Sequence, residues 1–145
     1  MATADGALVK LSFLELIGTQ LAKFLTKEHI QNDAYYRISI NDIKSILKPG
    51  DVVLVEGQSR VSSAIQFITN SNWSHAAVFI GRTDFFNHCL IEVKAVDGCT
   101  YTDINTYMHH NLRVCRPIFL DKRKKKILIN FLVNKIGSKY DLKNI

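Results

Sequence analysis

Between Pro49-Gly50 and Pro117 the chain is cut into five short apolar runs bounded by turn signals, and this pattern commits the middle of the sequence to a sheet. The valine-rich run Asp51 to Val55 follows Pro49-Gly50. Ser74 to Ile80 closes at Gly81, and Cys89 to Ala95 leads through the hairpin signal Asp97-Gly98 into Cys99 to Thr102. The fifth run is Leu112 to Arg116.

Helical periodicity flanks and interrupts these runs. Leu14, Ile17, Leu21, Phe24 and Leu25 recur at three- and four-residue intervals, which predicts an amphipathic helix from Leu8 to about Lys27. Ser39 with Asn41-Asp42 opens a short helix that stops near Lys48, because proline disfavours helical geometry in the residue before it. Ser59 caps a helix to Thr69 with Val61, Ala64, Ile65 and Ile68 on one face. Asp103 to Met108 reads as helical, and Asp121 caps a last helix carrying Ile127, Leu128, Phe131, Leu132 and Ile136 and ending at Gly137. The order describes an α+β domain with an at least partly antiparallel sheet, a core over residues 49–145 and an N-terminal helical extension over residues 1–48 packing on it. A membrane-surface or partner-binding role is the alternative for the first helix.

At 145 residues and a mean hydropathy of +0.02 the chain fits one globular domain and excludes collagen-like and disordered classes. Its net charge of +6 resides largely in Lys122-Arg123-Lys124-Lys125-Lys126. That run has no interleaved aromatics and reads as a solvated helix face, so no nucleic-acid partner is expected. The stretch Val61 to Gly81 lacks charged residues but carries Ser62, Ser63, Gln66, Asn70, Asn72 and His75, which exclude a membrane span. The N-terminus has an acid and no basic segment, so it does not read as a signal peptide and a cytoplasmic location is expected. Cys89, Cys99 and Cys115 are odd in number and widely spaced, indicating neither a disulfide framework nor a zinc site; no metal or cofactor is expected.

Two residues stand out chemically. His75 follows Asn72-Trp73-Ser74 where a loop becomes an apolar strand, a setting that can hold a general base rigidly; a histidine satisfied by a nearby backbone group is the other reading. Glu92 is an acid inside the strand Leu90-Ile91-Glu92-Val93, suited to orienting an imidazole or, alternatively, to solvation on an open sheet face. A nucleophilic thiol needs a helix start or nearby positive charge, and Cys89, Cys99 and Cys115 all lack the helix start; Arg113 would share the strand face of Cys115.

The segments Leu47 to Gly57, Trp73 to Gly81 and Leu90 to Val93, with Leu112 to Pro117 and Gly137 to Ile145, resemble the YiiX/YebB-like branch of the NlpC-type cysteine hydrolases, often labelled lipo-like. The resemblance implies a circularly permuted papain-like fold and hydrolysis of amide or ester bonds through a Cys-His-Glu triad. It assigns His75 as base and Glu92 as orienting carboxylate, and places Trp73, Ser74 and Tyr140 in the binding cleft. In that family the nucleophilic cysteine starts a helix well downstream of the tyrosine-aspartate pair, matched here by Tyr140-Asp141. No cysteine of this chain matches that position, so the expectation is a truncated family member, inactive as it stands. The substrate would be a small molecule, peptide or lipid, with weak membrane-surface contact allowed; the alternatives are a non-catalytic binding module for cell-wall peptide, amino-acid conjugate or lipid, and a phage-type or interaction protein.

Overall fold

The computed structural model describes residues 38–139. The helix expected over 8–27 and Tyr140 lie outside the described residues. In chain order the elements are α1 (Ile40–Ile46), β1 (Val52–Val55), α2 (Arg60–Thr69), β2 (His75–Gly81), β3 (Cys89–Lys94), β4 (Gly98–Asp103), a 3-10 turn η1 (Ile104–Tyr107), β5 (Leu112–Cys115) and α3 (Lys122–Val133).

The five strands form one antiparallel sheet in the order β4-β3-β2-β1-β5. Strand pairing sorts the side chains into two faces, since neighbours directly opposite point the same way. Val53 and Val55 of β1 pair with Ala77 and His75 of β2, Phe79 pairs with Leu90, and Ala77 pairs with Glu92. One face therefore carries both the apolar core and the His75–Glu92 pair. Ile43 of α1 and Ile104 and Tyr107 of η1 pack onto Val53, Val55, Ala77, Phe79 and Leu90 to close that core. Because β4 and β5 lie on opposite edges, the chain must cross the sheet between them. The crossing segment contributes Ile104 and Tyr107 to the core face.

Local chemistry explains the boundaries. Ser39, Ser59 and Asp121 accept from the backbone N–H of Asn41, Ser62 and Lys124 at the starts of α1, α2 and α3. Leu47, the residue before Lys48-Pro49, is already extended and ends α1. Asp51 is almost fully buried and accepts two bonds from Arg116, at 2.8 and 2.7 Å, plus one from the Lys48 backbone. Arg116 also donates to the Ile46 carbonyl, so one guanidinium joins the end of α1, the start of β1 and the segment after β5. Burial works to raise the Asp51 carboxyl, but the hydrogen bonds from Arg116 and Lys48 and the nearby positive charges prevail and hold it below its ordinary range.

One expectation is corrected and two are refined. The last helix ends at Val133 with Asn134 as its cap; Gly137, at φ +82°, shapes a later turn that lets Gly137 and Ser138 pair with Cys99 at the edge of the sheet. The hairpin signalled by Asp97-Gly98 forms, its turn running from Lys94 to Gly98 with Gly98 opening β4. Gly98 adopts φ +71°, and a Cβ there would lie 2.3 Å from the Ser138 carbonyl oxygen. The helical segment expected over Asp103 to Met108 is the 3-10 helix η1, capped by Asp103 and Met108.

Helix α2 exposes much of its apolar side. Ala64, Ile65, Phe67 and Ile68 are exposed, while the more sheltered side includes Ser62 and Gln66. Gln66 donates to the carbonyls of Gly57 and Asn72, which tethers both ends of the β1–β2 connection to the helix.

Candidate active site

His75 opens β2, held there by pairing with Val55 and by the preceding Ser74, whose N–H donates to the Val55 carbonyl. Glu92 lies opposite Ala77, one diagonal step from His75 on the same sheet face, within reach of a long side chain. The two meet through His75 Nε2 and Glu92 Oε2 at 2.5 Å. The His75 side chain is 29% exposed and that of Glu92 is 0% exposed, so the imidazole is open to a reactant and the carboxylate is not.

Glu92 has further donors. Thr102 Oγ1 donates to its Oε1, Tyr107 Oη donates to its Oε2, and Lys94 Nζ stands 3.1 Å from Oε1. Thr102 reaches it diagonally from β4, where Thr100 is the direct partner of Glu92; Tyr107 reaches it from η1. Burial alone would raise the carboxyl. The hydrogen bonds from His75, Thr102, Tyr107 and Lys94 outweigh it and bring it from 4.5 down to about 2. An ionised carboxylate accepts only, so Nε2 of His75 carries the proton of that bond and Nδ1 is the ring nitrogen left for chemistry. Such a pair can take a proton at Nδ1 while the buried anion stabilises the resulting imidazolium.

The sequence-predicted binding residues fall out differently. Ser74 Oγ accepts from the Gly57 N–H at 3.0 Å, and a Cβ on Gly57 would sit 2.7 Å from that oxygen, so this serine seats the loop beside His75. Trp73 is half-buried next to it, its backbone N–H bonded to Ser71 Oγ. Tyr140 lies outside the described residues.

None of the three thiols shares the face of His75. Cys115 pairs with Val52 and His75 with Val55, on alternate faces and opposite sides of β1, which puts them roughly 14 Å apart by strand geometry. Cys99 pairs with Val93, on the side of the sheet away from Glu92, and Cys89 is three residues from Glu92 on that same far side. Burial also pushes the Cys89 and Cys99 thiols up, against thiolate formation. The donors Thr102, Tyr107 and Lys94 were not singled out in the sequence. Their signal was the hairpin itself, since its register decides which β4 residues stand across from Glu92.

A family model described as permuted papain-like amidase enzyme, YaeF/YiiX, C92 family, matches residues 46–144. The chain belongs to this family. Its mixed helix-and-strand architecture, with the five-stranded antiparallel sheet, is the permuted papain-like fold expected from the resemblance. The match opens near the end of α1 and includes every strand, His75 and Glu92. No curated protein matches the sequence. The family's kind of chemistry is that of a permuted papain-like amidase. Among the described residues no helix is long and apolar enough to cross a membrane.

Proposed function

We propose that His75 and Glu92 are the base and orienting carboxylate of a thiol-dependent hydrolase acting on amide or ester bonds. The observation that carries this reading is the Glu92 carboxylate, buried among donors and bound to Nε2 of a partly exposed His75. In the reaction Nδ1 removes the thiol proton and the thiolate sulfur attacks the carbonyl carbon. The imidazolium then returns that proton to the departing amine or alkoxide, leaving a thioester. Water attacks the thioester with Nδ1 again as base, releasing the acid and restoring the thiol. Glu92 stays ionised and holds the ring throughout.

The three cysteines of this sequence stand on the far side of the sheet from the imidazole, so in this reading none of them is the nucleophile and the 145-residue chain alone performs no thiol hydrolysis. The test supplies the thiol from solution. With an activated ester and a small added thiol, the chain accelerates thiol-dependent cleavage over His75→Ala by about 10²-fold, the lower range for a positioned base. Equal rates for the two proteins overturn the assignment of His75. Iodoacetamide-sensitive turnover by the chain without added thiol overturns the exclusion of its cysteines.

The same placement of the thiols favours a second reading, in which the cleft binds a cell-wall peptide, amino-acid conjugate or lipid without cleaving it. Ligand binding that persists unchanged in His75→Ala, with no thiol-dependent turnover, selects this reading.

A further inference from the structure

Of the donors gathered on Glu92, one differs in kind. Thr102 and Tyr107 reach the carboxylate with neutral hydroxyls and His75 with a ring N–H, whereas Lys94 brings a full positive charge, its Nζ 3.1 Å from Oε1. Among the described residues it is the only lysine or arginine in an ion pair with Glu92. Strand geometry fixes it there. Lys94 lies two residues beyond Glu92 on β3, so both side chains leave the same face of the sheet. The β2–β3 register pairs Ala77 with Glu92, and carried two residues on it sets Lys94 across from His75. Lys94 Nζ also donates to Thr102 Oγ1 at 3.5 Å, the hydroxyl that itself donates to Glu92 Oε1.

A carboxylate beside an imidazole favours the imidazolium, because the opposite charge stabilises the protonated ring. A ring that already holds that proton accepts none from a thiol. Glu92 therefore acts on the base in two opposing ways: it orients the ring and, uncompensated, it fills the ring's free nitrogen. Hydroxyl donors spread the carboxylate charge without cancelling it, and an ammonium at Oε1 cancels it. The Lys94 side chain is 37% exposed and that of Glu92 0%, so the cation keeps part of its hydration while it neutralises an anion that has none. The other titratable groups near His75 are Tyr107 of η1, ring to ring at 6.2 Å, and His110, whose ring meets Tyr107 edge-on at 5.5 Å. The neighbouring elements present uncharged side chains on this face, Val55 from β1, Thr102 from β4 and Ile43 from α1.

We propose that Lys94 is a positioning residue of the His75 site: its ammonium offsets the Glu92 charge, so that the carboxylate orients the imidazole without holding it as imidazolium. This inference rests on the catalytic reading of His75. Removing the ammonium leaves Thr102 and Tyr107 bonded to the carboxylate, so Glu92 stays ionised and its uncompensated charge acts on the ring. The ring then keeps a proton on Nδ1 up to higher pH. For an ammonium within about 8 Å of the ring, in a medium between protein and water, the displacement is roughly 0.5 to 1 pH unit.

Carbon–proton NMR of the histidine rings in the full chain follows His75 directly, its signal assigned by its loss in His75→Ala. In Lys94→Met, which keeps the stem and removes the charge, the titration of that signal moves up by roughly 0.5 to 1 pH unit. Lys94→Arg, which keeps the charge, stays within about 0.2 unit of the parent. The acid limb of thiol-dependent cleavage of an activated ester, measured across pH, moves up with the titration. Lys94→Gln, shorter and also uncharged, moves both in the same direction and serves if Lys94→Met does not fold. A titration displaced by less than about 0.2 unit, or displaced downward, overturns the proposal. So does activity lost equally at every pH with the acid limb in place, the mark of a lysine that only packs. Absence of thiol-dependent cleavage in the parent chain overturns the catalytic reading and Lys94's part in it; a cleaving parent with an unmoved titration in Lys94→Met overturns the role of Lys94 alone.

Discussion

Glu92→Gln tests whether Glu92 is held as a buried anion. Glutamine keeps the size of the side chain but does not titrate, so comparison with the parent isolates the charge. The carboxyl falls from 4.5 to about 2 in the folded protein. At 1.36 kcal/mol per pH unit, that difference contributes about 3 kcal/mol to folding at neutral pH. The folded-state value lies below the unfolded one, so the unfolded chain binds the proton first as acid is added. The contribution is therefore complete above the unfolded value of 4.5 and disappears as pH falls toward about 2.

Urea denaturation followed by circular dichroism, at neutral pH and at about pH 3, gives the two proteins' stabilities under each condition. The parent should exceed Glu92→Gln by about 3 kcal/mol at neutral pH and lose about 2 kcal/mol of that advantage by about pH 3. If the two proteins lose stability in parallel, with their difference changing by less than about 0.5 kcal/mol, Glu92 is not held as a buried anion and the network argument fails.

Tyr107→Phe keeps a core-packing ring but removes one donor to Glu92; a loss of about 1–2 kcal/mol is expected by urea denaturation, with the acid-induced loss of stability beginning at higher pH. Asp51→Asn removes the charge that receives both Arg116 bonds, and a destabilisation of about 2 kcal/mol is expected by thermal melting, below the cost of breaking a fully buried pair because Arg116 is half-exposed. Alkylation of the native chain with iodoacetamide, mapped by mass spectrometry, should modify Cys115 first. Cys89 and Cys99, buried and with thiols pushed up, should react only as the chain unfolds.

The strands were legible because turn residues punctuate them, with Pro49-Gly50 before β1, Gly81 closing β2, Gly98 opening β4 and Pro117 soon after β5, and the helix starts were legible from side chains that cap them. Ser39, Ser59 and Asp121 all do so. What was not legible is what depends on distant parts of the chain. The exposed apolar side of α2 is the clearest instance. Its periodicity marks an apolar face, but periodicity says nothing about which way that face turns. The carbonyls of Gly57 and Asn72 draw Gln66 toward the loops at both ends of the helix, and Ala64, Ile65 and Ile68 are left exposed.

Register is the other limit, and it bears directly on the site. A two-residue turn at Asp97-Gly98 would set Val96 against Cys99, whereas the observed pairing sets Val93 there. The two registers differ by three residues, an odd number, so they exchange the faces of β4 relative to β3. In the first, Glu92 would face Asp103, a second carboxylate, and Thr102 would point away. The longer turn made possible by Gly98 instead brings Thr100 opposite Glu92 and Thr102 into bonding distance on the diagonal, and carries the chain into η1 so that Tyr107 arrives from above the core. A histidine and a glutamate on neighbouring strands are therefore only half of a proton-handling site. The other half is a turn five residues beyond the acid, which decides whether that acid meets donors or another acid.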